Sequence, residues 1–93
     1  MLITPVHCAA INPNAEFLAA LLEVSNEFSI MDEMMRKPVH YAAVCLGTGP
    51  LELLLKKGID AREGDKEKTT PLMLACKYGR AHNVRVLIEK ANL

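Results

Sequence analysis

The 93-residue sequence predicts an all-α repeat protein, a solenoid of three stacked helix-turn-helix units. One phrase recurs at a spacing of 33 residues, as Thr4-Pro5-Val6-His7-Cys8-Ala9-Ala10, Lys37-Pro38-Val39-His40-Tyr41-Ala42-Ala43 and Thr70-Pro71-Leu72-Met73-Leu74-Ala75-Cys76. A fixed period of this length marks a stack in which each unit buries its faces on its neighbours. Apolar residues with helical spacing follow each phrase, and turn residues separate the runs. The units are therefore residues 4–36, 37–69 and 70–93 of a single domain covering residues 1–93.

The first helix of each unit begins at the phrase. Thr70 is a natural N-cap, and Pro71 suits the first helical position, where a missing N–H costs nothing. Thr4 and Pro5 repeat that geometry, whereas Lys37 has no cap hydroxyl, a loss of about 1 kcal/mol. The small residues Ala9, Ala10, Ala75 and Cys76 let helices of adjacent units approach closely. In the second helices, Asn14 caps a run from Ala15 to about Val24 with Phe17, Leu18, Leu21 and Leu22 on the buried face. Pro50 opens a helix to Lys57, and Gly58 closes it in the left-handed conformation. After Gly79, Ala81 to Lys90 places Val84, Leu87 and Ile88 on one face.

The phrase resembles the Thr-Pro-Leu-His-x-Ala-Ala opening of the ankyrin repeat, whose period is the same. Leu53-Leu54-Leu55-Lys56-Lys57-Gly58-Ile59-Asp60 is similar to a second stretch of that repeat, with weaker echoes at Ala20-Leu21-Leu22 and Val86-Leu87-Ile88. The resemblance implies projecting hairpin loops, at Ser29 to Arg36 and Ala61 to Thr69. It also implies a residue with positive φ late in each loop, usually glycine; here Met35 and Lys68 stand there, at a penalty of order 1 kcal/mol each. Because the third unit is the shortest, the chain is expected to be a fragment of a longer array.

Eleven basic and eleven acidic residues leave no formal net charge, so the footprint required for binding nucleic acid or a membrane surface is missing. The charge is nevertheless polarised. Residues 1–30 hold Glu16, Glu23 and Glu27 with no Lys or Arg, while residues 77–93 hold Lys77, Arg80, Arg85 and Lys90 against Glu89. Cys8, Cys45 and Cys76 have neither disulfide-framework nor zinc spacing, which points to a reducing intracellular compartment, cytoplasm or nucleus. The longest apolar run, Phe17 to Leu22, is far below the ~20 residues of a membrane helix, and no signal-peptide pattern opens the chain.

His7 and His40 have the chemistry of acid–base groups and metal ligands, but the resemblance implies a structural tie from each to a neighbouring Thr and an adjacent loop. Met73 replaces that histidine in the third unit, and His82 is expected to be solvated. No base stands at a spacing that would activate Cys45, and Cys76 reads as a small buried hydrophobe. Gly47-Thr48-Gly49-Pro50 lacks the Gly-Lys-Ser/Thr ending of a phosphate loop and reads as an inter-helix turn. No enzyme activity, cofactor or metal is expected.

The resemblance implies binding of a protein partner through the hairpin tips and the concave face. The matching tip positions are Met31, Glu33, Met34 and Arg36, then Lys66, Glu67 and Thr69. Helix-end positions on the same groove are Ile11 and Asn12, Val44 and Cys45, and Lys77 and Tyr78. Met31, Met34 and Met35 crowd one loop, either as an adaptable contact or folded beneath the hairpin. The expected function is a non-enzymatic protein-protein interaction module. Two other readings are a spacer or assembly unit that self-associates head to tail through uncapped ends, and an inhibitor of a partner enzyme.

Overall fold

The computed structural model describes residues 4–24 and 30–91. Six helices follow in order: α1 (Pro5–Ala10), α2 (Glu16–Val24), α3 (Pro38–Ala43), α4 (Gly49–Lys56), α5 (Pro71–Lys77) and α6 (Ala81–Lys90). The inner row stacks α1 on α3 and α3 on α5, each inner helix packs on the outer helix that follows it, and α4 meets α6. The arrangement is the all-α solenoid anticipated from the repeat. Ser29, where the first loop is expected to begin, lies outside the described residues, as do Asn92 and Leu93 of the third unit.

The caps work as the residues dictate. Thr70 Oγ1 accepts the Met73 N–H at 3.2 Å, and Thr4 Oγ1 accepts the His7 N–H at 3.3 Å. His7 completes a reciprocal box, since its Nδ1 accepts the Thr4 N–H at 3.2 Å. Lys37 has no oxygen to offer, so only half the box survives, with His40 Nδ1 accepting the Lys37 N–H at 3.1 Å. Asn14 Oδ1 takes the Glu16 N–H at 3.0 Å ahead of α2. Gly58 ends α4 at φ +86°, a conformation that L side chains resist.

Ala10, Ala42, Ala43 and Ala75 are fully buried, so the inner helices meet almost backbone to backbone. Leu18, Leu51, Leu54 and Leu87 fill the layer between the rows. Three expectations fail. Phe17 is exposed, leaving Leu18 and Leu22 as the buried residues of α2. Ile88 is exposed and Val84 only half-buried, because α6 turns Asn83, Val86 and Leu87 inward. Cys76 is exposed, although Ala10 and Ala43 at the same repeat position are buried. Among the described residues no helix is long and apolar enough to cross a membrane.

Candidate functional site

Two hairpins and the C-terminal ends of the inner helices carry the expected contact positions, and an aspartate organises each hairpin. Asp32 Oδ1 accepts the N–H groups of Met34 and Arg36, both at 2.9 Å. Asp65, 33 residues on, accepts those of Glu67 and Thr69 at 2.9 and 3.0 Å. Each loop then turns through a left-handed residue, Met35 at φ +59° and Lys68 at φ +64°, in the places expected to carry that strain. The Lys66 N–H joins the hairpins by donating to the Met34 carbonyl at 2.8 Å.

The second carboxylate oxygens reach into the helices and the neighbouring hairpin. Asp32 Oδ2 accepts the Tyr41 hydroxyl, and Asp65 Oδ2 accepts Arg36 Nε at 3.0 Å. Burial would raise the pKa of both aspartates. It is outweighed at Asp32 by the Tyr41 hydroxyl and the Arg36 and Met34 N–H groups, and at Asp65 by the Thr69 N–H and the Arg36 guanidinium, so both lie below the ordinary 3.8. Burial and the Asp32 carboxylate push Tyr41 up to about 12.

His7 makes the predicted tie, with its Nε2 2.9 Å from the Arg36 carbonyl oxygen, and its ring meets Tyr41 edge-on at 4.9 Å between centroids. The tie is looser at His40: its buried Nε2 reaches no acceptor in good geometry, and burial pulls its pKa below 6.5 against the opposing pull of the Asp65 carboxylate and the Thr69 backbone.

Between the inner helix ends lies a cleft of about 360 Å³, lined by Ile11, Arg36, His40, Tyr41, Val44, Leu74, Tyr78 and Arg80. Ile11, Val44, Leu74 and the two tyrosines supply apolar wall. Arg80 is clamped by Nε to the Val44 carbonyl at 2.7 Å and by Nη1 to the Tyr78 carbonyl at 2.8 Å. Arg36, with a side chain 36% exposed, is also part of the lining. No carboxylate belongs to that lining.

Of the predicted contact residues, the cleft unites Ile11, Arg36, Val44 and Tyr78. Lys77 is exposed beside it, its ammonium 5.7 Å above the Tyr78 ring. Met31, Glu33, Lys66 and Glu67 are exposed on the hairpins, Met34 and Thr69 half-buried there, and Asn12 half-buried after α1; none of them lines the cleft. Cys45 is 1% exposed and cannot present its side chain to a partner, because the turn that returns its N–H to the Ala42 carbonyl tucks the thiol inward. Tyr41, Leu74 and Arg80 were not singled out as contact residues from sequence. Tyr41 and Leu74 share one repeat position, as do Asp32 and Asp65, so the 33-residue register held the signal for both pairs. Arg80 has no such counterpart. Among the described residues no group of His, Cys, Asp or Glu is placed to hold a metal ion.

Comparison with known proteins agrees with this architecture. The ankyrin repeat family profile matches residues 67–93. The chain is 39% identical over 88 residues to a poly [ADP-ribose] polymerase tankyrase of Caenorhabditis elegans, an alignment covering 95% of this chain and 4% of the relative. It is 34% identical over 89 residues to neurogenic locus notch homolog protein 1 of Xenopus laevis, covering 92% of the chain and 3% of the relative. With the Mus musculus protein of that name, identity is 36% over 77 residues, covering 80% of the chain and 3% of the relative. The chain thus spans only a few per cent of the length of the relatives it matches.

Proposed function

From the premise that the chain belongs to the ankyrin-repeat family, we propose that it is a non-enzymatic module that binds a protein partner through its concave cleft. The observation that carries the reading is the composition of the cleft. An apolar wall from Ile11, Val44, Leu74 and Tyr78 shares the lining with two guanidiniums, those of Arg36 and Arg80, and no carboxylate lines it. That pattern fits a peptide segment with an apolar side chain beside a carboxylate: the side chain leaves water against the wall, and the carboxylate meets Arg36 or Arg80. The exposed Tyr78 is the residue type that anchors interfaces, and exposed Met31 and Met35 on the hairpin widen the surface with adaptable contacts. The exposed, unpaired thiols of Cys8 and Cys76 support a reducing compartment, cytoplasm or nucleus, as its setting.

The test is selection of displayed random peptides on the purified chain, followed by fluorescence anisotropy with the selected sequences. Enrichment of Leu or Phe next to Asp or Glu is expected. Tyr78→Ala and Ile11→Asp should each weaken binding about tenfold or more without moving the melting temperature, since both residues are about half-exposed. Arg36 is unsuited to that test because it also holds Asp65. Selected peptides that bind equally well to both variants would place the partner elsewhere.

A further inference from the structure

We propose that Arg80, and not Arg36, receives the carboxylate of a peptide bound in the cleft. The assignment rests on the cleft being the binding surface and adds which of its two guanidiniums reads the acid. Both arginines line the cleft, but different chemistry holds them. Arg36 gives its Nε to Asp65 Oδ2 at 3.0 Å, and that aspartate side chain is fully buried. The Asp65 carboxylate already offsets the guanidinium charge, and it holds the Arg36 pKa above its ordinary value. A second carboxylate arriving at Arg36 would share a cation with an anion already in contact with it, so attraction to one is countered by repulsion from the other.

Arg80 is oriented without being neutralised. Its Nε donates to the Val44 carbonyl at 2.7 Å and its Nη1 to the Tyr78 carbonyl at 2.8 Å, and neither acceptor carries a formal charge. Among the described residues Arg80 has no ion-pair partner, and its Nη2 makes no hydrogen bond. Val44 belongs to the second unit, so the side chain is turned back from the third unit onto the second, and its place is set inside the stack. Two bonds fix this long side chain before a ligand arrives, which lowers the ordering cost of binding. Lys77, with its ammonium 5.7 Å from the centre of the Tyr78 ring, adds positive potential at the same helix end and also has no ion-pair partner among the described residues. The occupant this fits is an Asp or Glu side chain, which takes a charge-assisted hydrogen bond from Nη2 while the apolar neighbour in the peptide covers Val44 and Leu74.

The experiment compares each peptide selected on the chain with its counterpart in which Asp is replaced by Asn or Glu by Gln, using fluorescence anisotropy. The wild-type chain is expected to prefer the acid by about tenfold. Arg80→Gln should bring that preference close to one, mainly by weakening the acidic peptide. Arg36→Gln should weaken acid and amide together, through the hairpins it ties, and keep the preference. Because the preference is a ratio within one variant, partial unfolding lowers both affinities alike and leaves it unmoved. If circular dichroism shows that Arg80→Gln does not fold, the wild-type chain is read by NMR. The Arg80 Nε–H signal should then shift more with the acidic peptide than with its amide, and that of Arg36 about equally with both. A preference that survives Arg80→Gln, one that is lost in Arg36→Gln, or an acid-specific shift at Arg36 overturns the assignment and leaves the cleft reading standing. Selected peptides without Asp or Glu do the same. Peptides that bind Tyr78→Ala and Ile11→Asp as well as the wild type overturn both.

Discussion

Arg36 Nε donates to Asp65 Oδ2 across 3.0 Å, so the last residue of the first hairpin is held by the carboxylate that organises the second. The aspartate side chain is fully buried and the arginine side chain 36% exposed, which makes their losses unequal. Removing Asp65 orphans the Glu67 and Thr69 N–H groups as well as the guanidinium.

Asp65→Ala is therefore expected to cost about 3 kcal/mol in urea unfolding, and Arg36→Ala about 1 kcal/mol, because solvent screens the exposed partner. The double variant should be little worse than Asp65→Ala alone, since the arginine contact is already lost. An Asp65→Ala chain with an unchanged midpoint would mean that the hairpin does not depend on this carboxylate.

Met35 and Lys68 occupy the left-handed region at φ +59° and +64°, where a β-carbon is a liability. Met35→Gly and Lys68→Gly should each raise stability by up to about 1 kcal/mol, the relief of the left-handed strain exceeding the extra freedom glycine gives the unfolded chain. Thermal melts of the single and double variants check this, with near-additive gains expected from separate loops. A fall in both midpoints would show that the side chains contribute packing worth more than the strain.

These strained positions were legible in the sequence because the repeat register fixes backbone conformation position by position. The caps at Thr4 and Thr70 followed from the same register, the cap at Asn14 and the stop at Gly58 from local residue chemistry, and the tie from His7 from the family resemblance. Burial was less legible. Phe17, Cys76 and Ile88 have the chemistry of core residues, but burial at those repeat positions depends on packing between units, which periodicity within one helix does not report. The cleft was half legible: Ile11, Arg36, Val44 and Tyr78 came from repeat positions, while Cys45 failed because one step of turn geometry separates a groove side chain from a buried one. Arg80 was missed because its place in the cleft comes from two backbone carbonyls, and no side-chain pattern announces such partners.

His40 supplies a pH prediction. Burial holds its folded pKa below 6.5, so the unfolded chain takes up a proton that the folded chain refuses. Its contribution is present above 6.5 and is lost as pH falls through that value toward the lower folded one. Unfolding free energies measured from about pH 7.5 down to about pH 5.5 should decline, and His40→Asn should flatten the slope while lowering stability overall. A further loss is expected in acid below 3.8, where Asp32 and Asp65 with their lowered values must take up protons. A wild-type profile that stays level down to pH 5.5 would show that His40 is ionised in the fold.

Asn83 stands at a repeat position otherwise held by Phe17 and Pro50, so an amide fills a place where the pattern calls for an apolar residue. Its Nδ2 lies 2.9 Å from the Cys45 carbonyl oxygen, 3.2 Å from that of Ala43, and 3.3 Å from those of Ala42 and Gly47. All four carbonyls lie at the end of α3 or in the turn after it; that of Ala42 also accepts the Cys45 N–H, whereas those of Ala43, Cys45 and Gly47 lie where helical N–H donors run out. Asn83→Leu conserves volume and apolar contact but leaves that cluster of buried acceptors without its donor, a loss of about 2 kcal/mol. Asn83→Asp should cost more, because it sets a carboxylate against the same oxygens. The local signature is faster hydrogen exchange at the C-terminal end of α3 in both variants. Wild-type stability in Asn83→Leu would mean that the α3 carbonyls draw their hydrogen bonds from another source.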